Sequence, residues 1–194
     1  MSVVWLNGPV GAGKTTLAYA VRALVHPVSA VALLDEDAVR QAISDATSDA
    51  TLDAASDASS APEYLCGIAR LLAQQGFVVV VAASDTMPRV SLWNRANLPG
   101  YREVYLRASP ETIKHRNRRR RPNDGATQPI ASPPQSAALR TSGTPPPDAD
   151  LTIDMDNPEP PELLAFRVAV LIPEYVLAAA GAAGFDTHRL RRGA

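Results

Sequence analysis

Five residues among the first forty are of types that together could carry phosphoryl chemistry: Lys14, Thr15, Asp35, Asp37 and Arg40. Lys14 and Thr15 close the stretch Gly8-Pro9-Val10-Gly11-Ala12-Gly13-Lys14-Thr15, which satisfies the pattern GxxxxGK[ST] in full. Glycines let the backbone curl until successive N–H groups point inward at a β-phosphate, and the positive end of a following helix adds to that field. Lys14 is then expected to bridge β- and γ-oxygens, and Thr15 to offer its hydroxyl to Mg2+. Gly8, Gly11, Ala12, Gly13, Lys14, Thr15 and Thr16 form the expected binding set for ATP.

The second group lies in "LLDEDAVRQ", residues 33–41. Open α/β sheets place ligands at the carboxyl ends of their strands. Asp35 and Asp37 stand two apart, so an extended strand end would turn both to one side. Arg40 follows Asp37 by one helical turn and can reach the same space. Two carboxylates and a guanidinium opposite a phosphate loop suit transfer to an alcohol. One carboxylate holds a Mg2+-bound water while the other orients or deprotonates the attacking hydroxyl. Asp37 is assigned to the acceptor and Asp35 to the metal, although the two could exchange roles. Asp37 could also serve only as a helix N-cap.

The elements that must position these groups follow from hydrophobic patterning. Apolar, β-branched runs at 3–7, 30–34, 77–82, 103–107 and 151–154 read as strands. They scarcely alternate, as expected of parallel strands covered on both faces. Helical patterns occupy 14–25, 37–44, 62–75, 89–96 and 110–118, and a last one spans 160–180 with Pro173 kinking or ending it. Strand alternating with helix specifies an α/β chain. With the phosphate loop, this predicts a three-layer P-loop NTPase fold with a mostly parallel five-stranded sheet. The expected kinase-type domain covers residues 1–178, with an acceptor-side insertion at 44–61 and a lid and Pro-rich loop at 117–150. A tail occupies 179–194.

Composition limits the function classes. The 194 residues are 46% apolar and 20% charged with a net charge of −1, so no overall field draws the chain toward nucleic acid or membrane. Charge is instead local, acidic around 35–57 and basic around 114–121. The single cysteine, Cys66, precludes an internal disulfide and suits a reducing cytoplasm. With the phosphate loop starting so near Met1 no charged-then-apolar leader is expected, and no apolar run reaches the ~20 residues needed to span a bilayer. His26, His115 and His188 have no metal-ligand spacing. Trp5 and Trp93 read as core or interface residues. The sequence allows a homodimer, and it predicts a small-molecule hydroxyl as the partner.

"VWLNGPVGAGKTTLA" followed by "LLDEDAVR" resembles the adenylylsulfate (APS) kinase family, whose sequences read approximately "WLTGLSGAGKSTLA" and "LDGDNVR". That family phosphorylates the 3′-hydroxyl of adenosine 5′-phosphosulfate. "GIARLLAQQGFVVVVAA", "EVYLRASPETIKHRN" and "DADLTIDMDNPE" extend the resemblance over most of residues 1–175. It implies that Arg89, in "SDTMPR", faces the substrate and that Arg116 lies near the adenine of ATP. Departures fall on the acceptor side. Residues 44–61 lack the family's aromatic and arginine, and "RTSGTPPPDAD" lacks its lid phenylalanine. The donor half is thus retained and the acceptor half rewritten.

Within the rewritten part Asp45, Asp49, Asp53 and Asp57 recur every four residues, which on a helix would make one carboxylate stripe. A cationic acceptor would relieve its repulsion, and a solvated insertion would need none. In "RNRRRR", Arg118, Arg119 and Arg120 read as a lid closing over the phosphates. The run has no interleaved aromatics, so nucleic-acid binding is not expected. The leading reading is an ATP- and Mg2+-dependent kinase of a small-molecule hydroxyl. A true APS kinase, a non-catalytic nucleotide-binding regulator and a polynucleotide 5′-kinase are its competitors.

Overall fold

The computed structural model describes residues 1–47, 61–84, 87–119 and 146–182. Asp49, Asp53, Asp57, Arg120 and the Pro-rich stretch 121–145 lie outside the described residues. So does the tail 183–194.

Strands β1 (Val3–Asn7), β2 (Val31–Asp35), β3 (Val78–Ala82), β4 (Arg102–Arg107) and β5 (Leu151–Asp154) form one sheet. Its order is β2-β3-β1-β4-β5, and every neighbouring pair runs parallel. β1 and β3 are buried at every residue, whereas the edge strand β2 is buried fully only at Leu34. That gradient explains why the central runs are continuous Val, Leu and Trp.

The strand pleat sorts the core into two halves. Val4, Leu6, Val80, Val104 and Ile153 face α1 (Lys14–Val25) and α6 (Pro161–Ala169). Val3, Trp5, Val79 and Val81 face the opposite way, toward α3 (Ala61–Gln74) and α4 (Pro88–Asn97). α1 forms because Leu17, Ala18, Val21 and Val25 recur on one face, and all four are buried. Trp5 is wholly buried, but Trp93 is exposed on α4. Cys66 is a buried thiol outside any disulfide.

Two expectations need correction. The second helix, α2 (Glu36–Thr47), starts immediately after Asp35, so Asp37 is helical and does not sit on an extended strand end. The expected 160–180 helix is two helices, α6 and α7 (Pro173–Ala182), with axes 99° apart. Proline disfavours helical backbone in the residue before it, so α6 ends at Ala169 and Pro173 opens the next helix. No single described helix is long and apolar enough to cross a membrane; α6 and α7 meet that test only as a bent pair. The remaining helix, α5 (Pro110–Arg119), matches its predicted span to within one residue.

Candidate active site

The phosphate loop joins the carboxyl end of β1 to α1. Gly8 has φ +142°, and a Cβ there would lie 2.5 Å from the Leu106 carbonyl oxygen of β4, so this position accepts only glycine. Gly13 is left-handed (φ +103°, ψ 16°) at the N-cap of α1, which swings the loop's N–H groups to the helix start. Within the loop, the Ala12 N–H donates to the Pro9 carbonyl at 3.1 Å. Lys14 is buried, and its Nζ donates to the Gly8 and Pro9 carbonyls at 2.8 and 2.9 Å. Its ammonium thus lies across the loop mouth. Thr15 and Thr16 are exposed in the first turn of α1.

Behind the loop lies a buried polar support. The Asn7 side-chain carbonyl accepts the Gly8 N–H at 2.8 Å, and the Asn7 amide donates to Glu103 Oε1 at 3.1 Å. Glu103 is fully buried and also accepts from the Ser91 hydroxyl at 2.9 Å and from Arg95 at 3.4 Å. Arg95 reaches on to Asp150 and to the Asp148 carbonyl, in the segment returning to β5. The adjacent Tyr101 hydroxyl has its pKa raised, first by burial and then by the Glu103 carboxylate.

Opposite the loop, Asp35 ends β2. One carboxylate oxygen lies 2.6 Å from the Thr15 hydroxyl. The other accepts the Asp37 and Ala38 N–H groups at 3.1 and 3.3 Å, so the N-cap of α2 is Asp35 and not Asp37. The Asp37 side chain is 86% exposed and is paired with Arg40 at 3.0 Å. The same guanidinium donates to Glu36 at 2.6 Å. Glu36 is buried, and its second oxygen accepts the Ser84 N–H beyond β3 at 2.6 Å. A cleft of about 460 Å³ along the outer edge of β2 shares Asp35 and Ala38 with this site.

On the far side of the loop, Arg116 donates to the Ala12 and Met155 carbonyls at 2.8 and 2.7 Å. Beyond it, carboxylates cap the ends of β4 and β5. Asp154 is held below the usual carboxylate range by the Asp156 N–H and by Arg107 at 2.7 Å. Asp156 is lowered by the Ser109 N–H, which it accepts at 2.8 Å, and by the Thr112 hydroxyl.

The fold therefore assembles Gly8, Gly11, Ala12, Gly13, Lys14, Thr15, Asp35 and Arg116 around one loop, with Asp37 and Arg40 on the neighbouring helix start. Arg89 is exposed at the second residue of α4, and Arg118 is exposed near the end of α5. The Arg119 side chain and all of Arg120 lie outside the described residues. Sequence reasoning missed Glu36 and Glu103. Glu36 carried a signal as the residue standing where the resembled family has glycine, and Glu103 as a carboxylate inside an apolar strand, which demands partners when buried.

The donor set fits a magnesium nucleotide. Thr15 and Asp35 offer hard oxygen ligands side by side, and Mg2+ typically takes one or two protein ligands and completes its shell with water and phosphate. No cluster of three or more His, Cys, Asp or Glu suited to a metal occurs among the described residues.

The sequence pattern of the AAA domain family matches residues 3–133 of the 194. The chain belongs to the AAA domain family. The match runs from β1 through α5 and so contains every site residue described above except Asp148, Asp150, Asp154, Met155 and Asp156. A relative of this AAA chain, the adenylyl-sulfate kinase of Deinococcus deserti, is 34% identical over 116 residues, 59% of this chain. The aligned part spans 62% of that relative's own length. Two solved structures share the fold. One is an unliganded sugar kinase from Janibacter sp., with TM-score 0.64 and 22% identity, covering 93% of this chain and 97% of that one. The other is the Mycobacterium tuberculosis APS kinase with AMPPNP and APS, with TM-score 0.64 and 21% identity, covering 88% and 96%.

Proposed function

We propose that the protein is a kinase that transfers the γ-phosphoryl group of ATP to a hydroxyl of a small molecule. The observation that carries this reading is the 2.6 Å contact between Thr15 and Asp35, which joins the phosphate loop to the strand end beside the acceptor carboxylate Asp37.

Binding would draw Lys14 from the loop carbonyls onto the β- and γ-oxygens, with the loop N–H groups holding the β-phosphate. Thr15 and Asp35 would hold Mg2+, which supplies charge neutralisation on the phosphates. Arg116, already fixed to the loop backbone, would border the base, with Thr16 near the phosphates. Asp37 is the acceptor-side base. It takes the hydroxyl proton as the acceptor oxygen bonds to the γ-phosphorus and the bond to the β-phosphate oxygen breaks, releasing ADP. Arg40 keeps Asp37 oriented, and Arg89 extends toward the acceptor. Arg118, Arg119 and Arg120, in the lid and Pro-rich loop at 117–150, would close over the phosphates. Asp35 suits the metal better than the base because both its oxygens are engaged, by Thr15 and by the start of α2.

A second reading, a true APS kinase, is favoured by the 34% identity to the Deinococcus deserti protein. One assay tests both. ATP consumption is measured with Mg2+, alone and with APS, nucleosides and amino sugars. Turnover on any alcohol that is abolished in Asp37→Ala supports the kinase reading. ATP bound but hydrolysed to the same small extent with every acceptor would count against it.

A further inference from the structure

Glu36 is a carboxylate where the start of α2 could have been neutral, and it is buried rather than solvated. Its two oxygens are both engaged, one by the Ser84 N–H and one by Arg40, each at 2.6 Å. Arg40 is the single basic residue of α2, and its other terminal nitrogen is on Asp37 at 3.0 Å. Arginine recognises phosphate and sulfate through the same two-nitrogen fork. Here that fork is already divided between two carboxylates of its own helix. Glu36 and Asp37 thus present two carboxylates to one guanidinium.

We infer that Glu36 sets the charge class of the acceptor: it occupies Arg40 and so selects uncharged or amine-bearing alcohols over phosphorylated or sulfated ones. This rests on the kinase reading above and names the substrate class of that site. An anionic acceptor would have to displace Glu36 or Asp37 from Arg40 and then sit against the carboxylate it displaced. A neutral polyol needs only hydrogen bonds, and an ammonium group would be attracted.

The test uses purified wild type, Glu36→Gln, Glu36→Gly and Glu36→Gln/Arg40→Ala. Calorimetric titrations with APS and with adenosine, a pair differing only in the charged group, are run in the presence of Mg2+ and ADP. Glu36→Gln retains an acceptor for the Ser84 N–H, so the local backbone keeps its bond; Glu36→Gly gives an independent release of Arg40. Wild type is expected to bind APS no more tightly than adenosine. Glu36→Gln and Glu36→Gly should gain about tenfold or more for APS with adenosine unchanged, since removing a juxtaposed like charge is worth at least that. Arg40→Ala should cancel the gain. Strong preference of wild type for APS, or APS affinity unmoved by either single variant, overturns the inference. Binding of Mg2+·ATP to wild type is titrated alongside: its absence overturns the kinase reading itself, whereas its presence with unmoved APS affinity removes only the role of Glu36.

Discussion

Thr15 and Asp35, twenty residues apart in the chain, meet hydroxyl to carboxylate at 2.6 Å where the phosphate loop faces the end of β2. This contact ties the two halves of the site together. Thr15→Ala and Asp35→Asn should each raise the Mg2+ concentration needed for half-maximal activity and lower kcat by roughly 10²–10³, the scale seen when an electrostatic stabiliser is lost. Asp35→Asn should also weaken the start of α2. Mg2+ titrations of ATP turnover check this, and unchanged Mg2+ dependence would remove both residues from the metal site.

Asp37 pairs with Arg40 and is open to solvent. Asp37→Asn should therefore lower kcat by roughly 10²–10⁴, the usual contribution of a positioned base, with the KM for ATP little changed. Steady-state kinetics separate the two parameters. A rise in the KM for ATP with kcat intact would place Asp37 on the nucleotide instead.

Glu103 supports the loop from behind through Asn7. Glu103→Leu leaves the Asn7 amide and the Ser91 hydroxyl without their acceptor, at a cost of about 1–3 kcal/mol for each group that stays buried. Urea unfolding should show that loss, and ATP affinity should fall because the Gly8 N–H loses its fixed partner. Glu103→Gln, which retains an acceptor, should lose less of both.

Glu174, at the start of α7, gives a pH signature unrelated to catalysis. Burial works to raise the pKa of its carboxyl, but the Ser2 hydroxyl at 2.8 Å and the Glu174 N–H outweigh it, and the net shift is downward. A folded-state value below the unfolded one means stability that is present above the ordinary carboxylate pKa of about 4.3 and lost as pH falls through the folded value. Wild type should accordingly be more stable than Glu174→Gln at pH 7, and the difference should shrink below about pH 4. Denaturation midpoints across that range provide the measurement.

Most of the fold was legible because its signals are local. Val3–Asn7, Lys14–Val25 and Leu151–Asp154 have the bounds their patterns predict, and the other strands shift by one residue. The errors arose where two local signals competed. An acidic residue after a strand can end that strand or cap a helix, and Asp35 does both, which carries Asp37 into α2. Pro173 reads as a kink or an end, and the structure instead makes it a start, with Ile172 before it buried in the core.

By itself the sequence determined the phosphate loop, the alternation of strand and helix, and the residue types around the site. Each rests on interactions within a few residues: a loop motif, an apolar stripe, a turn. Tertiary structure alone decided which of those residues meet. Ser84 reaches Glu36 across 48 positions, Asn7 reaches Glu103 across 96, and Arg116 reaches the Ala12 carbonyl across 104. No local pattern encodes such pairs, because what brings them together is the strand order β2-β3-β1-β4-β5 and the burial that obliges each polar group to find a partner.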